Sequence, residues 1–387
     1  MRALALCIVA SVLAGCAHAT TSSPLPLNPA YRNRMTPFAT GETIFSFSGA
    51  QGANPEANLI AVKGALYGTT YGGGTGTGVV FRITPSGAEK VLHDFGKPND
   101  GSQPGTGPLV YVKGAFYGVT TYGGSGNGVV YKITTTGKER VVYRFKDPPD
   151  GDAAYGGLIF VNGYLYGTTS EGGANDYGTV FRLSLSGKET VLHSFKGGKD
   201  GQAPFGGLVA VGHTLYGTTR NGGAYTYGTV FKISLTGHEK VIHAFGGPLH
   251  NDGSGPLAGL TLVKGQLYGT TYGGGTDSWG TVYAITTAGK ERVLHSFTDT
   301  PDGGNPEYVN LIDVRGTLYG TTSVGGTAGT VFKITTSGSE SVVYNIPGGS
   351  GGEQPFGGVA FLNGKLYGTT RVGGNSTLLG TVFAVTP

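Results

Sequence analysis

Leu215-Tyr216-Gly217-Thr218-Thr219, followed by Gly222-Gly223 and then by Gly228-Thr229-Val230-Phe231, is one copy of a string that runs through most of the chain. Its tyrosine recurs as Tyr67, Tyr117, Tyr166, Tyr216, Tyr268, Tyr319 and Tyr367, at spacings of 50, 49, 50, 52, 51 and 48 residues. A period near 50 signals a propeller or a solenoid. Each copy holds four short runs rich in Val, Ile, Tyr, Phe and Thr. In the third copy they are Leu158 to Val161, Tyr164 to Thr169, Thr179 to Leu183 and Thr190 to Phe195. Gly, Asn, Ser and Asp separate them, which is strand-and-turn chemistry, and no window has useful helical periodicity.

The phase of the array separates the two architectures. The body opens on a lone fourth-type run, Thr43 to Phe47, and closes on a third-type run, Thr381 to Val385. A linear stack has no use for that offset, whereas a ring does: the first run supplies the outer strand of the last blade and removes an open edge. The expected fold is all-β, a seven-bladed β-propeller of four-stranded antiparallel blades over residues 41–387, closed by the N-terminal strand joining the last blade.

Composition agrees. Gly supplies 74 and Pro 19 of the 387 residues, beside 22 Tyr and 18 Phe. Glycine at that level suggests disorder, but so many aromatics suggest pleated strands joined by tight turns. The formal charge is only +4 and no Lys/Arg cluster exceeds two residues, so no nucleic-acid partner is expected. The two cysteines, Cys7 and Cys16, both lie near the N-terminus, which leaves the body without a disulfide framework or a Cys-based zinc site.

The N-terminus reads as an address. Met1-Arg2 precedes an apolar run, Ala3 to Leu13, too short to span a bilayer and suited to a signal peptide over residues 1–15. Leu13-Ala14-Gly15-Cys16 resembles the bacterial lipobox. That resemblance implies lipidation of Cys16, hence a membrane partner through the anchor, and Ala17 in place of Asp fits outer-membrane sorting. Several acyl chains anchor stably because each buried methylene contributes roughly 0.8 kcal/mol. The competing reading is Ala17-His18-Ala19 as an ordinary cleavage site that releases a soluble exported protein. Residues 16–40 read as the lipidated cysteine and a Ser/Thr/Pro-rich tether.

The recurring string, ending in an apolar strand with His-x-Phe such as His243-Ala244-Phe245, resembles the GloVer tandem repeat of bacterial exported proteins. The resemblance covers nearly the whole mature chain. It implies a cell-envelope location and carries over no activity or catalytic residue. The second copy departs from the pattern by inserting Val119 into its Thr pair, and one fourth run ends in Ile346. Paired glycines at this period are also similar to kelch repeats, whose Tyr and Trp placement does not match.

Loop lengths point to one face. The offset from the third-run aromatic to the end of the fourth run is 14 in all six continuous copies, from Phe81–Phe95 to Phe332–Ile346. The repeat Tyr to third-run offset ranges from 13 to 16, and the fourth run to next repeat Tyr from 20 to 23. In a meander these two variable connections share one face, and insertions confined to one face often mark the binding face.

Unrepeated residues on that face are the expected ligand contacts: Glu171, Asn175 and Asp176 in the third blade, Arg220, Asn221, Tyr225 and Tyr227 in the fourth, Asp277 and Trp279 in the fifth, and Arg371 and Asn375 in the seventh. Such a mixture suits a glycan or a protein ligand. Glu171 and Asp277 also offer an acid–base pair for an envelope polysaccharide hydrolase or lyase, although no catalytic residue is assigned and no cofactor is expected. The expected chain is a monomer, a non-enzymatic binding module with structural scaffolding as a further alternative. His93, His193, His243 and His295 share a register with Phe45, Tyr143 and Tyr344, which reads as a packing position, so no metal is expected there. Asp-Gly, as in Asp100-Gly101, reads as turn chemistry. Gly348-Gly349-Ser350-Gly351-Gly352 matches the nucleophile-elbow pattern but lies in a loop between strands rather than before a helix.

Overall fold

A computed structural model describes residues 39–387 except 98, 99, 125 and 376. Cys16, the leader and most of the tether lie outside the described residues. The body is a seven-bladed propeller of four-stranded antiparallel blades. Blade 3 runs outward as Ile159–Val161, Tyr164–Thr169, Thr179–Ser184 and Glu189–Ser194. Blade 7 is assembled from both ends of the body: Gly41–Ser46 pairs antiparallel with Thr381–Val385, from Gly41 opposite Val385 to Ser46 opposite Thr381. Ser350 sits in a single 3-10 turn, Gly349–Gly351, not at a strand-to-helix elbow.

Each residue of the repeated string has a mechanical task. Leu215 and Tyr216 are buried in the blade core. Gly217 is a close approach, since a Cβ there would strike the ring of Phe231 and Leu208. In the middle blades the first threonine ties a blade to its neighbour near the axis: Thr168 Oγ1 donates to Gly206 O at 2.9 Å, and Thr218 Oγ1 to Ala258 O at 2.9 Å, whereas Thr69 and Thr369 Oγ1 lack such a bond. The second pairs with the threonine of the third strand, Thr219 with Thr229 at 2.8 Å and Thr169 with Thr179 at 2.8 Å. These bonds satisfy hydroxyls in an otherwise apolar interior. Val119 is a replacement rather than an insertion: it faces Val130 in the register where Thr69 faces Val80.

Blades interlock through aromatic rings. The phenylalanine after every outer strand but that of blade 6, where Ile346 stands, packs edge-on against the third-strand aromatic of the next blade, as in Phe195–Phe231 at 5.2 Å and Phe245–Tyr283 at 5.1 Å. Edge-to-face pairs of this kind contribute about 0.5–1.5 kcal/mol beyond area burial. The histidines do pack as expected, with His193 edge-on to Phe195 at 4.9 Å. His93, His193 and His295 also hydrogen-bond the Asp of the following Asp-Gly turn, as in His93 Nε2 with Asp100 Oδ2 at 3.0 Å, and His243 Nε2 lies 3.3 Å from Asp252 Oδ2.

On the variable face, the segment entering each blade is sewn to the loop after its second strand. Gly151–Asp152 pairs with Glu171–Gly172, Gln202 bridges Asn221, and Glu353 bridges Val372. These entering segments then converge on the axis as Gly-Gly or equivalent pairs. The axial cavity left between Asn58, Gly107, Gly156, Gly206, Gly259 and Asn310 measures about 10 Å³, close to the space of one water.

Candidate functional site

Around that plugged axis, two rings of unrepeated residues face the variable side. One is the position after the proline in the entering segment: Glu56, Phe205, Leu257, Glu307 and Phe356, with Tyr155 following Ala154. The other is the residue after the Thr-Thr pair: Tyr71, Ser170, Arg220, Tyr272, Ser323 and Arg371. Closing the ring brings them together from every blade but the second, where Gly105 follows Pro104 and Tyr122 follows the Thr pair.

The contacts are specific. Arg371 Nε donates to Glu56 Oε1 at 2.8 Å while its guanidinium lies 4.9 Å from the Phe356 ring centroid. Arg220 stacks in the same way over Phe205 at 5.4 Å. Asn54 Nδ2 donates to Arg371 O at 3.1 Å and holds that strand end. Tyr155 packs on Phe205 at 4.7 Å, hydrogen-bonds Tyr122, and lies within electrostatic reach of Tyr71 and Tyr308. The result is a shallow cup with aromatic walls, two guanidinium groups and two carboxyl groups.

Its electrostatics separate the two acids. Burial pushes both upward. For Glu56 the Arg371 charge and hydrogen bond work against that rise. Glu307 is pushed up to about 7 by burial, with the Glu56 charge adding to the shift and Ser323 and Arg371 opposing it. Tyr308 is raised to about 12, chiefly by burial and then by Glu56 and Glu307. The folded site therefore favours the acid form of Glu307. That contribution to stability is complete below about pH 4.5, the unfolded carboxyl's value, and is lost as pH rises through about 7. Glu307→Gln mimics the neutral acid. It is expected to leave the thermal midpoint unchanged in acid and to raise it above wild type in alkaline buffer, as calorimetry across pH would show.

Arg220 and Arg371 are the two expected contacts that reach this cup. The others lie further out along the loops. Glu171 is exposed beside Asp152 and Asp176, and its carboxyl is raised by burial first and then by those two charges. Asp176 Oδ1 accepts from Gly172 N at 2.9 Å in a left-handed turn at φ 60°. Asn221 exchanges backbone bonds with Gln202. Tyr225 packs on His250 at 4.7 Å, and Tyr227 lies over Gly247. Asp277 is exposed and accepts from Thr276 Oγ1 at 2.9 Å. Trp279 packs half-buried against the core between blades 5 and 6, with its carbonyl accepting from Asn305 N at 2.7 Å. Glu171, Asp277 and Trp279 are thus engaged within their own neighbourhoods, not with one another. Glu56, Tyr155, Phe205, Glu307, Tyr308 and Phe356 escaped the sequence reading. The signal available for all but Tyr308 was the position that changes most in the loosely repeated segment written Pro204-Phe205-Gly206-Gly207-Leu208 in the fourth copy.

Solved structures align with the propeller, those above a TM-score of 0.5 sharing its fold. A protein of unknown function from Bacteroides thetaiotaomicron aligns at TM-score 0.48 and 12% identity, over 89% of this chain and 75% of that one. A puromycin hydrolase aligns at TM-score 0.54 and 11% identity, over 84% and 51%. A puromycin-hydrolyzing peptidase of Mycobacterium tuberculosis aligns at 0.54 and 10%, over 90% and 54%. The chain thus spans about half the length of the last two proteins. At such identities the likeness is one of fold. No curated protein sequence matches the chain. The Gloeobacter/Verrucomicrobia repeat model matches residues 14–231 and again 214–387, and with its repeats now seen as propeller blades the chain belongs to that family.

Proposed function

We propose that this protein is a cell-envelope lipoprotein, anchored through Cys16, whose propeller is a non-enzymatic binding module. Its ligand, a glycan or a protein, sits on the variable face over the axial cup. The observation that carries this reading is the clustering of accessible aromatics on that face. Tyr122 and Tyr272, 43% and 44% exposed, stand at the cup, with Tyr122 hydrogen-bonded to Tyr155, while the exposed Tyr177, Tyr225 and Tyr227 lie further out on the same face, Tyr177 against Gly197 and Tyr227 against Gly247. Rigid amphipathic rings beside guanidinium groups suit sugar faces or protein hot spots. Among the described residues no helix is long and apolar enough to cross a membrane, so the anchoring part rests on the lipobox.

A second reading is favoured by the unlike surroundings of two carboxyls both raised by burial, Glu56 paired with Arg371 and Glu307 pushed up to about 7, since acid–base hydrolysis of polysaccharide uses two carboxyls in different environments. One experiment addresses both. The chain carrying Cys16→Ser is screened on glycan arrays and in envelope pull-downs, and bound glycans are assayed for new reducing ends. Specific binding reduced at least about tenfold by Arg220→Ala or Tyr308→Ala is expected, a loss of about 1.4 kcal/mol. Binding that survives both substitutions places the ligand elsewhere, and release of reducing ends transfers the conclusion to the second reading.

A further inference from the structure

Four seams between blades share one three-residue cluster. His93, His193, His243 and His295 lie 3.0, 3.2, 3.3 and 2.7 Å from Asp100, Asp200, Asp252 and Asp302, measured from Nε2 to Oδ2. A glutamate that opens the outer strand of the next blade completes each: Glu139, Glu239, Glu291 and Glu340. In every cluster the three potential ligand atoms lie within 4.8 Å of one another. The Oε1 atom of each of these glutamates is buried without a hydrogen-bond partner among the described residues.

The remaining seams lack the imidazole, although Glu89 Oε1 and Glu189 Oε1 are likewise buried without a partner there, so the histidine and not the glutamate distinguishes the four. Tyr143 replaces histidine opposite Asp150, donating its hydroxyl at 2.6 Å. Where Gln51-Gly52 and Gly351-Gly352 replace Asp-Gly, the histidine position holds Phe45 and Tyr344. Imidazole therefore occurs only where both carboxylates are also present. A neutral imidazole with two carboxylates places two negative charges in a half-buried seam, and an orphaned buried carboxylate oxygen is costly.

We propose that these four seams bind a first-row divalent cation of the zinc type through one imidazole nitrogen, one aspartate oxygen and one glutamate oxygen, with water completing the shell. The donor set is one such ions accept. Bonds of about 2.0–2.2 Å set ligand atoms roughly 3–4 Å apart, a small outward shift from the His–Asp hydrogen bond. The supporting contacts resemble those around known ligands, in which bound carboxylates are themselves hydrogen-bonded. Asp100 Oδ1 accepts from Gly101 N at 2.8 Å, Asp252 Oδ1 from Gly253 N at 2.6 Å and Asp302 Oδ1 from Thr298 N at 3.1 Å. Each His ring is steadied by its phenylalanine neighbour. Because the glutamate comes from the adjacent blade, each ion fastens two blades together. The seam of blades 1 and 2 opens as a cavity of about 320 Å³, where Lys97, Arg140 and Arg144 also line the wall. Those cations oppose a metal, so this site is the weakest of the four. The rival occupant of every site is a proton shared between the two carboxyl groups.

The test uses the full chain freed of metal by chelation and titrated with Zn2+ by calorimetry at neutral pH, with bound metal counted by elemental analysis. Three tight equivalents and a weaker fourth are expected, together with a raised unfolding midpoint. His193→Phe, a side chain already accommodated at Phe45, is expected to fold normally and to bind one equivalent fewer. Glu239→Gln, at the same seam, is expected to do the same by a change on the other blade. No specific Zn2+ uptake, or an unchanged stoichiometry in both variants, overturns the proposal in favour of the proton or of the other histidines.

Discussion

Removing residues 41–47 is expected to abolish the cooperative unfolding transition of the whole ring. The segment provides the outer strand of blade 7, paired along Thr381–Val385. It also carries Phe47, fully buried and edge-on to Phe45 at 5.0 Å and to Phe81 of blade 1 at 5.2 Å. Loss of that ring alone, as in Phe47→Ala, costs about 3–5 kcal/mol on general experience with buried aromatics. Domains of ordinary stability have only about 5–15 kcal/mol to lose. The deletion adds an exposed strand edge, Thr381–Val385, which invites association with other chains. Denaturant unfolding followed by Trp279 fluorescence is the check. Trp279 packs between blades 5 and 6, so its signal reports the ring and not the missing strand. An unchanged midpoint in the deleted chain would show that blade 7 does not hold the circle closed.

The second large effect is expected at the hub. In Gly107→Ala the new methyl would fall on the backbone of Gly156 and Gly157. Backbone cannot swing aside as a side chain can, so the cost is overpacking at about 1–3 kcal/mol or more. Gly107 also donates to Tyr155 O at 2.9 Å, so the same substitution is expected to displace Tyr155 and weaken any binding at the cup. Gly72→Ala is the matched control. Its methyl would meet only ordinary contacts near 3.8 Å, and a shift in midpoint within about 0.5 kcal/mol is expected, as for a tolerated surface change. Equal losses in the two variants would count against a close-packed hub.

The architecture was legible because one repeat writes it seven times. The spacing of the tyrosines set the blade length, and the lone first run beside the final third-type run set the closure. Both rest on patterns a linear reading detects. Strand ends moved by a residue or two, the outer strand of blade 3 running Glu189–Ser194 rather than Thr190 to Phe195, because pairing decides the boundary and composition does not. The cup was legible only at Arg220 and Arg371. Loop length identifies a face but not a radius, and nothing in the order of residues says that Glu56, Tyr155 and Tyr308 approach a common axis across more than 250 positions. The glutamates at the seams were hidden for the opposite reason. They recur at the start of the outer strand, Glu139 and Glu239 among them, and only the neighbouring blade brings a histidine to them.

The filled hub has a last consequence. With about 10 Å³ left between the converging backbones, the hub of the propeller has room for nothing larger than a water. Whatever settles over Tyr308 must depart through the mouth by which it arrived. Residence there is then governed by the lip alone, so lengthening or trimming the outer loops should tune how long a guest stays without altering the floor on which it rests.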